Sequence, residues 1–167
     1  VGIVGMGEIG KAFSKRVKTL SMKIVYFGPN KKKLKYKYFK NLKDMASVID
    51  VMVITCIGGR KTKDLINKTI FKLMKPSSII VNVSRGSVIN EVHLLDALNK
   101  NLISGAALDV FEMEPKINNK FLKLNNVLLS PHNGSATLET REKMANISSQ
   151  NLLNYLYSKK LKNNVRY

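Results

Sequence analysis

The sequence predicts a single α/β domain built on a doubly wound parallel sheet, and three observations predict it. Short runs rich in Val and Ile alternate with stretches whose apolar residues recur at helical spacing. Those runs are continuous enough to be buried on both faces, as strands of parallel sheets are. The first run passes at once into a glycine turn and then a helix.

The elements follow in order. VGIV at 1–4 is a β-branched strand, GMGEIG at 5–10 is the turn, and KAFSKRVKTL at 11–20 continues as a helix. KIVYF (23–27), VIDVMVIT (48–55), SSIIVNVS (77–84), ISGAALDV (103–110) and NVLLS (126–130) read as strands. TIFKLM (69–74) and NEVHLLDALNK (90–100) read as helices, and a long helix runs from about residue 138 to 157. The domain is therefore drawn over 1–157, with 158–167 as a C-terminal tail that closes the chain. Val1 already lies inside the first strand and no methionine precedes it, so a segment upstream is expected.

A chain of 167 residues that is 44% hydrophobic can build a proper core. No apolar run approaches the roughly 20 residues that cross a bilayer, and no charged-then-apolar leader is visible, so a cytoplasmic protein without a membrane partner is expected. One cysteine and two histidines offer no disulfide and no metal cluster. The net charge of +18 is the unusual quantity. KKKLKYKYFK at 31–40 interleaves Tyr36, Tyr38 and Phe39 with lysines, as a groove for single-stranded nucleic acid would. Lysines are also scattered along every segment, which a bias of the whole composition explains, and that explanation is preferred.

A bare G-x-G-x-x-G is weak, but strand, glycine turn and helix in that order make a dinucleotide-binding fingerprint of the Rossmann type. Gly5 allows the tight turn, Gly7 lets a pyrophosphate approach the backbone, and Gly10 lets helix pack on strand. Roughly 20 positions on, a carboxylate marks NAD specificity, because it accepts the ribose hydroxyls and repels a 2′-phosphate. Gly28 falls there instead, with no acid before Asp44. Gly28 and Pro29 leave room for a phosphate, Asn30 can donate a hydrogen bond, and Lys31, Lys32 and Lys33 supply charge. NADP is the expected cofactor, with NAD possible; a merely solvated lysine run is the competing explanation.

A nicotinamide dinucleotide bound there would donate hydride to a carbonyl, which needs a cation to polarise it and an acid for the developing alkoxide. Arg85 follows a buried strand at its C-terminal end, where open α/β sheets bind ligands, and His132 follows another strand in SPHNG. A carboxylate from DVFEMEP placed against an imidazole would raise its pKa, and spacing does not choose between Glu112 and Glu114. His93 reads as a helix-surface residue.

VGIVGMGEIGKA, LMKPSSIIVNVSRGSVINEVHLLDAL, SGAALDVFEMEP and NNVLLSPHNGSATLETREKMA together resemble the nucleotide-binding domain of the D-isomer-specific 2-hydroxyacid dehydrogenases. The resemblance implies that Arg85 binds substrate, that His132 is the proton donor and that Glu114, directly before the proline, is the catalytic glutamate. It implies cofactor contacts at Thr55, Cys56 and Ile57 over the ribose and phosphate, and at Asp109 and Ser135 near the nicotinamide amide. Glu8, Ile9, Val83, Ser84 and Gly134 complete the expected cofactor set. Glu8 departs from the pattern, since a carboxylate beside a pyrophosphate repels it unless it points to solvent. Gly58 and Gly59, in place of a proline-containing loop, resemble the branch that reduces glyoxylate, hydroxypyruvate or aryl pyruvates. Family members also build a substrate-facing domain from an N-terminal segment that this sequence lacks, so the chain alone is expected to turn over poorly, and a homodimer is expected. The alternative is a cofactor-sensing or nucleic-acid-binding module that has kept the fold and lost turnover.

Overall fold

The computed structural model describes residues 1–163. Seven strands are present among the described residues: β1 Gly2–Val4, β2 Val25–Phe27, β3 Lys37–Phe39, β4 Val51–Ile54, β5 Ile79–Asn82, β6 Gly105–Leu108 and β7 Val127–Leu129. They form one parallel sheet in the order β3-β2-β1-β4-β5-β6-β7. The helices are α1 Glu8–Lys18, α2 Leu42–Ala46, α3 Lys68–Leu73, α4 Glu91–Asn99 and α5 Leu138–Leu156. Strand order reverses at β1, whose Gly2 pairs with Val25 on one side and Met52 on the other. The crevice beyond the C-terminal ends of β1, β2 and β4 is therefore the switch point at which such sheets bind ligands.

Alternation along β1 sends Ile3 to one face and Val4 to the other, and both are fully buried. Val4 joins Met52, Ile54, Ile80 and Leu108 beneath α2, α3 and α4. Ile3 joins Met6, Val17, Ile24 and Tyr26 on the α1 side. Burial on both faces does not extend along the whole sheet, as the apolar runs had suggested. Ile79 on β5 is 41% exposed and Leu128 on β7 is 69% exposed. α1 packs against β1, two places from β5 and four from β7 in the strand order.

Two elements escape the sequence pattern: β3 and α2, both short and lysine-bearing. β3 is an edge strand inside the basic run, and it corrects the reading of that run as a stacking groove. Tyr36 and Tyr38 are half-buried against the α1-side core, and Phe39 packs against the other core cluster. The Tyr26 and Tyr38 ring centroids lie 5.3 Å apart, and Lys37 sits 4.8 Å over the Phe39 ring. The aromatics face inward and only the lysines are exposed. His93 differs as well: it is half-buried on α4, and its Nδ1 is buried without a hydrogen-bond partner among the described residues.

The chain divides into two compact units, Val1–Pro131 and His132–Tyr167. The first holds the sheet and α1–α4. The second carries α5, whose N-terminus is capped by Thr137 accepting from the Thr140 N–H. No α5 residue is buried. Asn151 pins the start of the tail to this helix, donating to the Lys162 carbonyl and accepting from the Lys162 N–H, both at 2.8 Å. Residues 164–167 of the tail lie outside the described residues.

Adjacent residues in the turn before β7 separate core from surface. Phe121 is 1% exposed and Leu122 is 64% exposed. Phe121→Ala is expected to lower the unfolding free energy by about 3–5 kcal/mol, and Leu122→Ala by less than about 0.5 kcal/mol, in urea titrations followed by circular dichroism.

Candidate active site

The glycine turn forms because three chain segments meet there without side chains. Gly5 has φ of +98°, and a Cβ on it would lie 2.5 Å from the Cys56 backbone. A Cβ on Gly10 would collide with the Gly5 carbonyl oxygen. The buried Thr55 hydroxyl donates to that same oxygen at 2.6 Å, tying the end of β4 to the turn. Gly7, by contrast, faces open space: a Cβ there would meet nothing within 4 Å.

That open space belongs to a cleft of about 700 Å³ at the switch point. Gly5, Gly7, Gly28, Pro29 and Asn30 line it from the ends of β1 and β2. Thr55, Cys56 and Ile57 line it from the end of β4. The expected cofactor residues from these three loops are thus brought together, and the volume, the bare glycine turn and the start of α1 fit a dinucleotide. Lys32 lines the cleft, whereas Lys31 does not. Glu8 and Ile9 stand exposed in the first turn of α1 and are not among the lining residues. The Glu8 side chain is 92% exposed and pairs with Lys11 at 2.9 Å. Hydrogen bonding from Lys11, then its charge, holds the Glu8 carboxyl below its ordinary range. It points to solvent, so the departure at Glu8 does not set a charge against the cleft.

Burial pushes the Cys56 thiol up, against the weaker downward pull of the Ser84 hydroxyl. Ser84 donates to the Cys56 carbonyl oxygen and is itself buried. The thiol is a packed neighbour of the cleft.

The cleft runs on to Arg85 through Gly58. A Cβ on Gly58 would lie 2.5 Å from the Arg85 Cγ, so the arginine stem lies over this bare stretch of lining. Arg85 is exposed, and its Nη1 donates to the Ser84 carbonyl at 2.7 Å. The loop beneath is set by Asn82, which is 1% exposed. Its side chain donates to the Arg85 carbonyl at 3.0 Å and accepts from the Ser84 N–H at 3.1 Å. Asn82 went unnoticed in the sequence, although an amide inside the apolar run IIVNV needs buried partners and is a usable signal.

Gly86 then brings Arg85 to the Glu114 loop. A Cβ on Gly86 would collide with the backbone of Phe111 and Glu112. The Phe111 N–H donates to the Glu114 Oε1 at 2.9 Å, and the Glu112 N–H donates to the Glu91 Oε1 at 2.8 Å. Asp109, just beyond β6, accepts from the Ser130 hydroxyl at 2.6 Å, and Val83, at the end of β5, is 39% exposed. Cleft, Arg85 and Glu114 therefore form one connected corner of the first unit. His132, with φ of +52°, Gly134 and Ser135 belong to the second unit, where all three are exposed.

Gly86 and Gly7 separate packing from binding. Gly86→Ala drives a methyl into backbone that no rotamer change relieves, and a loss of about 1–3 kcal/mol in stability is expected. Gly7→Ala keeps an ordinary φ of −83° and meets nothing, so stability should change by less than about 1 kcal/mol while dinucleotide affinity falls. Urea unfolding and fluorescence titration of the two variants check both expectations.

Comparison with known proteins agrees with this geometry. The family model described as D-isomer specific 2-hydroxyacid dehydrogenase, NAD binding domain, matches residues 1–134. The chain is 40% identical over 162 residues to a 2-ketogluconate reductase of Gluconobacter oxydans, covering 96% of this chain and 52% of that protein. It is 40% identical over 157 residues to a glyoxylate reductase of Pyrococcus furiosus, covering 92% and 47%. Among solved structures, the NADPH-dependent glyoxylate/hydroxypyruvate reductase of Sinorhizobium meliloti in complex with NADP and malonate superposes with a TM-score of 0.91 at 33% identity, covering 93% of this chain and 49% of that one. The chain thus spans about half the length of the curated relatives it matches. It belongs to the D-isomer-specific 2-hydroxyacid dehydrogenase family, and what it contains is that family's NAD-binding domain.

Proposed function

We propose that residues 1–157 form the cofactor half of an NADP-linked reductase of small 2-keto acids, of the glyoxylate or hydroxypyruvate type, with 158–167 as its tail. The single observation that carries this reading is the connected corner: a glycine-turn cleft with Gly28 where an acid would mark NAD, leading over Gly58 to Arg85 and on to Glu114. The bound nicotinamide supplies the hydride. Arg85 holds the substrate carboxylate and polarises the ketone. His132 delivers the proton to the developing alkoxide, and Glu114 favours the protonated imidazole. Thr55, Cys56 and Ile57 would hold the cofactor from the cleft lining, Val83 and Ser84 from the end of β5, and Asp109, Gly134 and Ser135 would serve its nicotinamide end. We place the protein in the cytoplasm as a homodimer with small-molecule partners only. Among the described residues no helix is long and apolar enough to cross a membrane.

At the β2 end, one lysine about 4 Å from a phosphate charge gains between roughly 1 kcal/mol in water and 4 kcal/mol near a protein surface, before solvation and entropy costs. A net preference of about 1.5–3 kcal/mol, roughly ten- to a hundredfold, follows for NADPH over NADH. The second reading, a non-catalytic module, draws on the net charge of +18 and the exposed lysines of 31–40. It is distinguished by oligonucleotide binding tighter than about micromolar at physiological salt, with discrimination between sequences.

Fluorescence titration tests the cofactor reading: NADPH is expected to bind about ten- to a hundredfold more tightly than NADH, the preference shrinking with salt. NADH binding equally well at moderate salt overturns it. The chain spans 47% of the glyoxylate reductase it matches, and on its own it should show little turnover of glyoxylate with NADPH, because orienting substrate and excluding water would rest with the other half.

In the protein with its substrate-facing half present, His132→Ala should lower kcat by about 10²–10⁴-fold with little change in KM. Arg85→Ala should lower kcat and raise KM together. Small, equal effects would show that both residues are structural.

A further inference from the structure

The cleft has two walls, because β2 and β4 flank β1 and their following loops rise on either side of the glycine turn. The β2 wall is held by tyrosines. The fully buried Tyr26 accepts from the Lys32 N–H at 2.7 Å, and the Tyr38 hydroxyl donates to the Gly28 carbonyl at 3.0 Å. Lys32 stands at the cleft on this fixed loop.

The β4 wall is equally fixed. The Thr62 N–H donates to the Gly59 carbonyl at 3.0 Å, which closes a turn whose two central residues are Arg60 and Lys61. The Thr62 hydroxyl donates to the Ile57 carbonyl at 2.8 Å and staples the turn to the end of β4. Arg60 and Lys61 both line the cleft, and both are exposed. No Asp or Glu is among the lining residues. Lys32, Arg60 and Lys61 form no ion pair among the described residues, although Lys11, Lys75 and Lys100 each hold a carboxylate elsewhere. Three cations therefore face the cleft from two preformed loops, without an anion of the protein's own.

We propose that Arg60 and Lys61 are specificity-determining residues for a 2′-phosphorylated dinucleotide, closing on its adenosine end from the β4 side while Lys32 closes from the β2 side. The proposal rests on the reading of the cleft as an NADP site and adds a second wall to it. A phosphate monoester carries about −1.5 to −2 charges at neutral pH, more than one lysine balances. Arginine adds a planar fork that donates two parallel hydrogen bonds to phosphate and can lie on the face of adenine, and lysine adds a point charge. The glycine turn serves the pyrophosphate shared by both cofactors, so the extra cations act on the group that only NADP carries.

The test uses the 167-residue chain and four probes: NADPH, NADH, 2′,5′-ADP and 5′-AMP. In Arg60→Ala/Lys61→Ala, dissociation constants for NADPH and 2′,5′-ADP should rise about tenfold or more, while those for NADH and 5′-AMP change less than about threefold. Arg60→Lys with Lys61 retained should recover part of the loss. Both side chains are exposed and unpaired, so thermal unfolding of the double variant should match the parent. A parent that prefers NADPH but is unaffected by the double substitution, losing its preference only with Lys32→Ala, overturns the second wall and leaves the NADP reading standing. Equal losses for all four probes assign the loop to the shared part of the cofactor and overturn the proposal. A parent that binds 5′-AMP as tightly as 2′,5′-ADP overturns both.

Discussion

The fold depends on one close approach, where the turn after β1, the start of α1 and the end of β4 meet backbone to backbone. Gly5 presses on Cys56, Gly10 on the Gly5 carbonyl, and the Thr55 hydroxyl ties that carbonyl to β4. Any side chain at Gly5 or Gly10 would push the helix off the sheet. With none there, the first amides of α1 face the crevice with their positive end, and Gly7 leaves the approach to them clear. Binding and packing are thus two consequences of the same bare turn.

A second bare contact does the same for the chemistry. Gly86 lets the loop after β5 lie directly on the backbone of Phe111, whose N–H is held by Glu114. Asn82 secures the other side of that loop from inside the sheet. Arg85 is left exposed on a loop held at both ends, with its stem over Gly58. A long cation held in this way loses less conformational freedom when it binds an anion than one on a free loop. Rigid strands and small residues do the positioning, and the exposed groups are free to act.

The high charge takes on a more specific meaning in this setting. Its lysines lie mostly on the surface, where the ion pairs are isolated and exposed and contribute little to stability. At the cleft the excess is unopposed, so the surrounding field raises the local concentration of an anionic dinucleotide. The aromatic residues of the basic run are drawn inward to hold the β2 loop, so only charge is presented outward.

Much of this was legible in the sequence, because the controlling signals are local. The strands of the sheet's centre are continuous Val and Ile runs, and the glycine spacing between VGIV and a helical pattern fixes the turn whatever surrounds it. Gly28 in place of an acid and Arg85 after a buried strand are likewise one-dimensional facts. The rest depended on contacts between distant segments. β3 and α2 are too short to show a period; β3 forms because Tyr38 and Phe39 find Tyr26 and the core, and α2 because Leu42, Met45 and Ala46 are buried in it. Arg60 and Lys61 read as ordinary loop cations until the strand order sets their turn across the crevice from Lys32. The sequence by itself determined the elements, the bare turns and the chemical groups on offer. Only the tertiary structure decided which groups share a cleft, because crossover connections bring the ends of β1, β2 and β4 together from positions some 20 to 50 residues apart.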